Sequence, residues 1–492
     1  MINTVVIVGR DAAAWLSANV LATALGPTGV KVSVVELPSL TRDQDIHATL
    51  PALEACHRLL GFDEHAVLRA TAGAFTLGQS FVNFTSQPFF HAYGSHGVGL
   101  DKLPFLPFYV RARQAGLKVA IEDFSLTAAA ARQGRFIVPD NETQAFARTD
   151  YGYHLPARAY SRFLRSAALR AGVTVHTAAT VAAEIAGDGR ITAVTSGQGE
   201  RIAGDLFIDA TGADALLLRR ALQVPFESWR PWFSADRLLT AAGPRLKSLP
   251  PFAQIRANEQ GWIGLYAAQD ATRIVNVYNS HDQGDDDALR AAAVVSGLTL
   301  GDAVVSPLHA GRSHSAWAAN CVAIGEAACA FDPLDSVALQ AVQTGLVHLL
   351  ALFPRRVGGP ESAEYNRLMQ ATFEGLRDFQ LAHLTLSHVG GAFWQRSRAT
   401  PPPASLQRKL DVFAARGLVP LDDQETFTTD SWEAVLLGHG LMPQSYEPMA
   451  DIVPDADLMA HLKRVLGHIK TQVDNSHAHD AYLEIFCTAE TA

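Results

Sequence analysis

The sequence predicts an α/β fold in which helices cover a mostly parallel sheet. The prediction depends on three observations. Residues 4–9 are a β-branched run ending in glycine, which is typical of a strand buried on both faces of a parallel sheet. A helical pattern and a second buried strand at 30–36 follow, giving one βαβ unit. Two further buried-strand patterns, at 206–209 and 321–325, extend the same sheet.

The remaining elements follow from local pattern in chain order. They are a helix at 52–72, a strand at 73–84, an aromatic and proline-rich loop at 84–110, an amphipathic helix at 158–172, and short strands at 173–177, 181–185 and 191–196. A strand-rich region at 230–310, a long helix ending at 353 and a mostly helical region from 361 complete the chain. A β-rich insertion and a helical C-terminal module are therefore expected.

Composition excludes several classes of protein. The net charge of −9, from 40 Lys and Arg against 49 Asp and Glu, disfavours nucleic-acid binding because phosphate backbones are repelled. The four cysteines lack metal-ligand or disulfide spacing, so no metal is expected. No signal-peptide pattern follows Met1, and the longest apolar stretch, 337–353, is polar-interrupted and too short for a membrane span. We expect a soluble cytoplasmic protein with no membrane partner.

The turn after the first strand carries a substituted dinucleotide-binding pattern. In that pattern, glycines let the backbone approach a pyrophosphate, and an acid ending the second strand, here Glu36, binds the ribose. The turn reads Gly-Arg-Asp-Ala-Ala-Ala from Gly9, so only the first glycine is present. Asp11 places a carboxylate where the anionic pyrophosphate approaches. Three outcomes stay open: Arg10 compensates, Asp11 turns away to cap the helix, or the layer has lost its nucleotide.

Several separated segments share their order and spacing with one family. The strongest runs from Gly311-Arg312 through Trp317 to Asn-Cys-Val-Ala-Ile-Gly at 320–325, then Asp-Pro-Leu-Asp-Ser at 332–336. Others are Leu-Phe-Ile-Asp-Ala-Thr-Gly at 206–212, 73–83, 377–383 and 436–443. From residue 3 to about residue 445, the chain resembles the flavin-dependent tryptophan halogenase family, a group of flavin monooxygenase-like folds.

The resemblance implies the domain organisation and the partners. It implies a Rossmann-like FAD-binding domain formed by 1–85, 150–215 and 305–355, substrate-side insertions at 86–149 and 216–304, and a helical C-terminal module at 356–492. It also implies FAD reduced by a separate flavin reductase, O₂ as oxidant, a small aromatic substrate or peptide, a role in secondary metabolism, and compatibility with a homodimer. Because of Asp11, FAD binding is the implication that most needs testing.

Carried over residue by residue, the resemblance implies an altered catalytic centre. In active members, hypohalous acid formed at the flavin reaches a lysine that directs attack on an aromatic ring. That lysine corresponds to Thr76, which has no amine. The supporting glutamate corresponds to Asp335, followed by the matching Ser336. We therefore expect Thr76, Asp335 and Ser336 at the catalytic centre, although Thr76 could simply pack and Asp335 could cap a helix at 336–353.

The resemblance also implies the binding residues. At the cofactor it places Gly9, Asp11, Ala13, Ala14, Glu36, His47, Ala48, Thr49, Val181, Gly325, Glu326, Pro333, Val337, Ala338 and Leu339. In the substrate pocket it places Pro107, Tyr109, Trp262 and Trp432.

Three functions are compatible with a chain that differs from the family's pattern at these positions. The first is FAD-dependent oxidation or hydroxylation of an aromatic substrate (indole-, phenol- or pyrrole-like) without halide. The second is a true halogenase with a rearranged site, in which another amine, such as Lys102, replaces the one missing at position 76. The third is a non-catalytic homologue that binds a ligand or a partner.

Overall fold

A computed structural model describes residues 2–139 and 148–488. The chain divides into two compact units. The first unit comprises 1–73, 155–233 and 308–375, and the second comprises 74–154, 234–307 and 376–492.

The strands and helices have the following bounds. The strands are β1 Thr4–Gly9, β2 Lys31–Glu36, β3 Ile46–Ala48, β4 Ala74–Thr76, β5 Gly78–Val82, β6 Phe89–Ala92, β7 Arg135–Phe136, β8 Gly152–Pro156, β9 Thr174–Thr177, β10 Val181–Ile185, β11 Ile191–Ser196, β12 Arg201–Ala203, β13 Leu206–Ala210, β14 Phe226–Ser228, β15 Arg237–Pro244, β16 Ala253–Asn258, β17 Gly261–Ala267, β18 Ala271–Tyr278, β19 Val304–Pro307, β20 Gly311–Ser313, β21 Trp317–Ala318, β22 Cys321–Ala323, β23 Cys329–Ala330 and β24 His477–Ala478. The helices are α1 Asp11–Leu25, α2 Ala52–Leu59, α3 Glu64–Thr71, α4 Phe105–Gln114, α5 Leu126–Arg132, α6 Ala157–Arg170, α7 Asp285–Ser296, α8 Ala338–Ala351, α9 Glu361–Leu386, α10 Ala392–Ala399, α11 Ala404–Arg416, α12 Thr429–Gly438, α13 Asp455–Asn475 and α14 His479–Thr488.

The first unit contains the predicted parallel sheet. Its strand order is β21-β22-β13-β1-β2-β9, and every neighbouring pair except β21 with β22 is parallel. The central strand β1 is buried from Val5 to Gly9, because helices and neighbouring strands cover it on all sides, as its β-branched sequence predicted. Asn19 of α1 donates to the Leu164 carbonyl of α6 at 2.9 Å and so joins two of the covering helices.

The second unit is built on a seven-stranded sheet with the order β19-β15-β18-β17-β16-β5-β6. Most of its neighbours are antiparallel, and β5 pairs with β16 in parallel. This sheet is the β-rich insertion that the sequence predicted. The described residues from 376 onward are mainly helical, as expected for the C-terminal module.

Two sequence predictions in the second unit were wrong in detail. The predicted strand at 73–84 is two strands, because the Leu77 N–H donates to the Pro251 carbonyl and Gly78 adopts φ +146°. A β-carbon at Gly78 would lie 2.2 Å from the His91 carbonyl oxygen, so the chain turns where only glycine fits. The predicted loop at 84–110 contains β6 and α4, since aromatic residues there pack into the core instead of lying in a loop.

The helix predicted at 52–72 is likewise two helices, α2 and α3. The Asp63 carboxylate caps the second by accepting a hydrogen bond from the His65 N–H at 2.9 Å. Gly61, which has φ +69°, and the Asp63 cap separate the two helices.

Gly9 makes the first turn sensitive to a single methyl group. A β-carbon at Gly9 would lie 2.5 Å from the Ala210 carbonyl oxygen, which belongs to the neighbouring strand β13. Gly9→Ala is therefore expected to lower the free energy of unfolding by about 1–3 kcal/mol, measured by chemical denaturation. Gly26→Ala is the matched control, because Gly26 has helical backbone angles and no neighbour within 4 Å of its added β-carbon. Equal effects of the two substitutions would contradict the close approach.

Candidate functional site

A cavity of ≈ 260 Å³ opens in the first unit at the carboxyl ends of β1 and β13. Ligands of open α/β sheets bind at this edge. Of the predicted cofactor residues, those that line the cavity are Asp11, Ala13, His47, Gly325, Glu326, Ala338 and Leu339. Its other lining residues are Arg10, Ala12, Leu40, Thr41, Asp45, Ala210, Gly212, Cys329, Phe331 and Val342. The predicted residues Gly9, Ala14, Glu36, Ala48, Thr49, Val181, Pro333 and Val337 are not among the lining residues.

Asp11 does not cap helix α1. Arg10 occupies the N-cap position, and no side chain caps the helix there. Asp11 has φ +55°, and its carboxylate accepts hydrogen bonds from the Ser39 hydroxyl, the Leu40 N–H at 3.0 Å and the Thr41 hydroxyl at 3.2 Å. The capping alternative was therefore wrong. The carboxylate turns to the 39–41 loop, whose three donors compensate part of its negative charge.

Two buried polar atoms at this cavity lack a partner in the protein. They are Arg10 Nε and His47 Nε2. Burial lowers the pKa of His47, although the nearby Asp45 and Asp11 oppose that shift. The imidazole is therefore neutral at pH 7. Unpartnered buried donors and acceptors are costly, so their presence at a cavity fits a site built for a polar ligand such as a dinucleotide.

Glu36, the predicted ribose acceptor, already has a protein partner. Both of its carboxylate oxygens accept hydrogen bonds from the Arg165 guanidinium, at 2.9 and 3.0 Å. The sequence could not show this pair, because Arg165 lies on α6, more than a hundred residues away. Each carboxylate oxygen has a second lone pair, so the ion pair leaves acceptor capacity at the end of β2.

Asp335 and Ser336 form a strained, buried pair in the first unit. Both have φ +61°, which non-glycine residues adopt at a cost of about 1–3 kcal/mol each. Helix α8 begins at Ala338 with Val337 as its N-cap and no side-chain cap, so the interpretation of Asp335 as a helix cap was wrong. Strain of this kind is concentrated at functional sites, which keeps both residues as candidates.

Thr76 ends β4 in the second unit and is 1% exposed. Its hydroxyl donates to the Gly78 carbonyl at 3.1 Å, and this hydrogen bond lies within the turn between β4 and β5. A threonine hydroxyl carries no permanent charge and cannot form a haloamine at this position.

The predicted substrate-pocket residues also lie in the second unit. Trp262 on β17 and Trp432 on α12 are fully buried, whereas Pro107 is half-buried in the first turn of α4. The Tyr109 hydroxyl donates to the Val119 carbonyl at 3.0 Å, and burial raises the pKa of Tyr109 to about 12. The indole N–H of Trp262 is buried without a hydrogen-bond partner in the protein, so a bound ligand could satisfy it.

A family model for tryptophan halogenases matches residues 4–455. The chain belongs to the tryptophan halogenase family. This confirms the resemblance read from the 311–336 segment and its companions. The family is flavin-dependent, with FAD as its cofactor, and the cavity at the carboxyl ends of β1 and β13 has the position and unsatisfied polar atoms expected of its binding site.

Two solved halogenase structures are similar over almost the whole chain. Xcc4156, a flavin-dependent halogenase from Xanthomonas campestris, is 30% identical with a TM-score of 0.94, and 100% of each chain is covered. BrvH, a flavin-dependent halogenase from Brevundimonas sp. BAL3, is 29% identical with a TM-score of 0.93 over 99% of each chain. Tryptophan 6-halogenase ThaL from Streptomyces albogriseolus is 26% identical, covering 94% of each chain.

Family membership supports a flavin-dependent function of the aromatic halogenation type. Flavin-dependent halogenases use a separate flavin reductase. In the part of the chain that the structure describes, no helix is long and apolar enough to cross a membrane.

Proposed function

We propose that this family member performs an FAD-dependent oxidation of a small aromatic substrate (indole-, phenol- or pyrrole-like) without transferring halogen through a lysine. The reaction would use FAD reduced by a separate reductase, together with O₂. The proposal is carried by Thr76, which the resemblance aligns with the family's lysine and which is buried with its hydroxyl bonded to the Gly78 carbonyl.

No lysine of the chain is both buried and free of protein partners. All seven lysines lie within the described residues, and six of them, including Lys102, are exposed. The seventh, Lys409, is buried in the second unit, where its ammonium contacts the Glu425 carboxylate at 2.9 Å and the Asp422 carboxylate at 2.7 Å. It also donates to the Pro420 carbonyl at 2.8 Å, so three protein groups surround the ammonium.

The chain's own residues would bind and orient the reactants. Arg10 and His47 would hold the cofactor, and the strained Asp335-Ser336 pair would fix the backbone beside it. When bound, reduced FAD supplies the two electrons with which O₂ yields one transferred oxygen atom and one water molecule. The buried aromatic residues Trp262 and Trp432 would provide an apolar wall that excludes water from the substrate.

The test is a product analysis with a panel of indoles, phenols and pyrroles. The protein is supplied with FAD, a flavin reductase and O₂, in buffers with and without bromide. The proposal expects at least one substrate to gain an oxygen atom at a rate that bromide does not change. Products that form only with bromide and carry its isotope doublet would indicate a halogenase with a rearranged site. FAD binding without turnover of any substrate would indicate a non-catalytic homologue.

Thr76→Lys tests the missing amine directly. If the surrounding geometry still accommodates the family's lysine, this variant should form brominated product above the wild-type background under the same conditions. Thr76→Met is the matched control, because it fills a similar length without an amine. Bromination by the methionine variant equal to that by the lysine variant would show that the amine is not the missing element.

A further inference from the structure

The cavity in the first unit carries an unusual balance of charge for a dinucleotide site. Three carboxylates line it, those of Asp11, Asp45 and Glu326. Arg10 is the one permanently charged cation among its described lining residues. A pyrophosphate brings further negative charge to this edge, so its binding there requires a cation in direct contact.

The Arg10 guanidinium is available for that contact. Its side chain is 12% exposed, and its buried Nε has no hydrogen-bond partner. Its ion pair is a distant one, because Nη2 lies 3.8 Å from the Asp214 carboxylate. Asp214 is held more closely by Arg220, at 2.9 Å, so Arg10 can turn towards a ligand without leaving Asp214 unpaired.

Asp11 prevents the backbone contacts with phosphate that the usual glycine-rich turn makes. In the ordinary pattern the second glycine lets backbone N–H groups approach the phosphates, but here a side chain occupies that place. Its carboxylate is held by the 39–41 loop, of which Leu40 and Thr41 line the cavity. The turn therefore presents a guanidinium on one residue and a loop-bound carboxylate on the next.

Building on the family's FAD dependence, we propose that Arg10 binds the pyrophosphate of FAD and replaces the glycine backbone contacts of the usual turn. Asp11 acts as a positioning residue that holds the 39–41 loop against the cavity and does not touch the phosphates. A guanidinium suits this role, because its planar set of donors matches phosphate oxygens in pairs.

The experiment compares ligands with and without the pyrophosphate. Dissociation constants of oxidised FAD and riboflavin are measured by flavin fluorescence for the wild type, Arg10→Gln and Arg190→Gln. A parallel series with ADP and adenosine, followed by thermal shift, gives the same comparison for the adenine end. No turnover is needed, so failure of the proposed oxidation chemistry would leave these measurements unaffected.

We expect Arg10→Gln to weaken FAD and ADP about 10- to 100-fold, the effect of losing a charge-assisted contact. Riboflavin and adenosine should change less than twofold, and wild-type affinity for FAD should fall with added salt more steeply than that of the variant. Arg190→Gln, which removes an exposed arginine that pairs with Asp188 in the first unit, should leave FAD affinity unchanged, because neither residue lines the cavity. Equal FAD affinity in Arg10→Gln and the wild type would overturn the proposal, as would an equal loss for riboflavin.

Discussion

Replacing Lys409 by methionine is expected to lower the free energy of unfolding by about 2–4 kcal/mol at pH 7. Lys409 is 2% exposed in the second unit, and its partner Glu425 has a side chain that is 5% exposed. Without the ammonium, Glu425 keeps its burial and loses its counter-ion. Glu425 can become neutral by taking up a proton, and protonating a glutamate of ordinary pKa at pH 7 costs about 3.7 kcal/mol. The cost of this protonation sets an upper limit on the free energy of unfolding that the variant loses.

The effect of Lys409→Met should depend on pH in a defined direction. Burial raises the pKa of Glu425 even beside the lysine, whose hydrogen bond and charge oppose the shift. Removing the lysine raises that pKa further, so protonating Glu425 becomes easier as the pH falls. The difference between variant and wild type should therefore be larger at pH 8 than at pH 5. Urea denaturation followed by tryptophan fluorescence measures it, with Trp432 lying 5.4 Å from the ammonium as a local reporter.

Arg408→Met is the matched control for this prediction. Arg408 precedes Lys409 and pairs with the same Asp422, but its side chain is about half exposed. Exposed pairs contribute about 0–1 kcal/mol, so the control should lose little stability at any pH. Comparable losses from Arg408→Met and Lys409→Met would show that burial of the Lys409–Glu425 pair does not control stability here.

The second large effect is a pH dependence of stability centred on His96. Burial alone would lower the pKa of His96, but its hydrogen bond to Glu433 and the charges of Glu433, Asp430 and Glu122 raise it overall. The Nε2–Oε2 distance is 2.7 Å, and both side chains are buried. Because the folded pKa exceeds the unfolded value of about 6.5, this stabilisation is complete below pH 6.5 and is lost as the pH rises through the raised pKa.

The variant His96→Gln removes this contribution. The stability difference between wild type and variant should be greatest near pH 6. Above pH 6.5 it should decrease by about 1.4 kcal/mol per pH unit until the raised pKa is passed. His96, Asp430 and Glu433 are also residues of metal-ligating type with ligand atoms within 4.8 Å of one another, so the unfolding is measured in a chelator. A difference that stays constant from pH 6 to pH 9 would contradict the ion pair.

Local pattern predicted the framework well, because strand burial and helix periodicity are local properties. The β-branched run at residues 4–9, for example, predicted a strand buried in a parallel sheet, and β1 is that strand. The prediction for residues 84–110 was wrong because the proline and aromatic residues there suggested a loop. Pro107 lies in the first turn of α4, where a missing N–H does no harm.

The candidate site was only partly predictable for a similar reason. The motif positions identified Asp11, His47 and Gly325 as cavity residues, because motif spacing fixes the backbone. The direction of the Asp11 carboxylate depends on three donors of the 39–41 loop, and the pairing of Glu36 depends on Arg165 of α6. Such contacts between segments distant in sequence leave no local signal. The unpartnered Nε of Arg10 becomes visible only with the cavity around it.

The measurement that tests the central claim most directly is the mass of the product formed in ¹⁸O₂ with bromide present. The most active substrate of the aromatic panel is incubated with the protein, FAD and a flavin reductase. Oxidation without a lysine-bound halogen predicts a product that carries one ¹⁸O atom and no bromine, at the rate seen without bromide. A product that carries bromine and no ¹⁸O would contradict it, and would mean that halogen transfer proceeds without an amine at position 76.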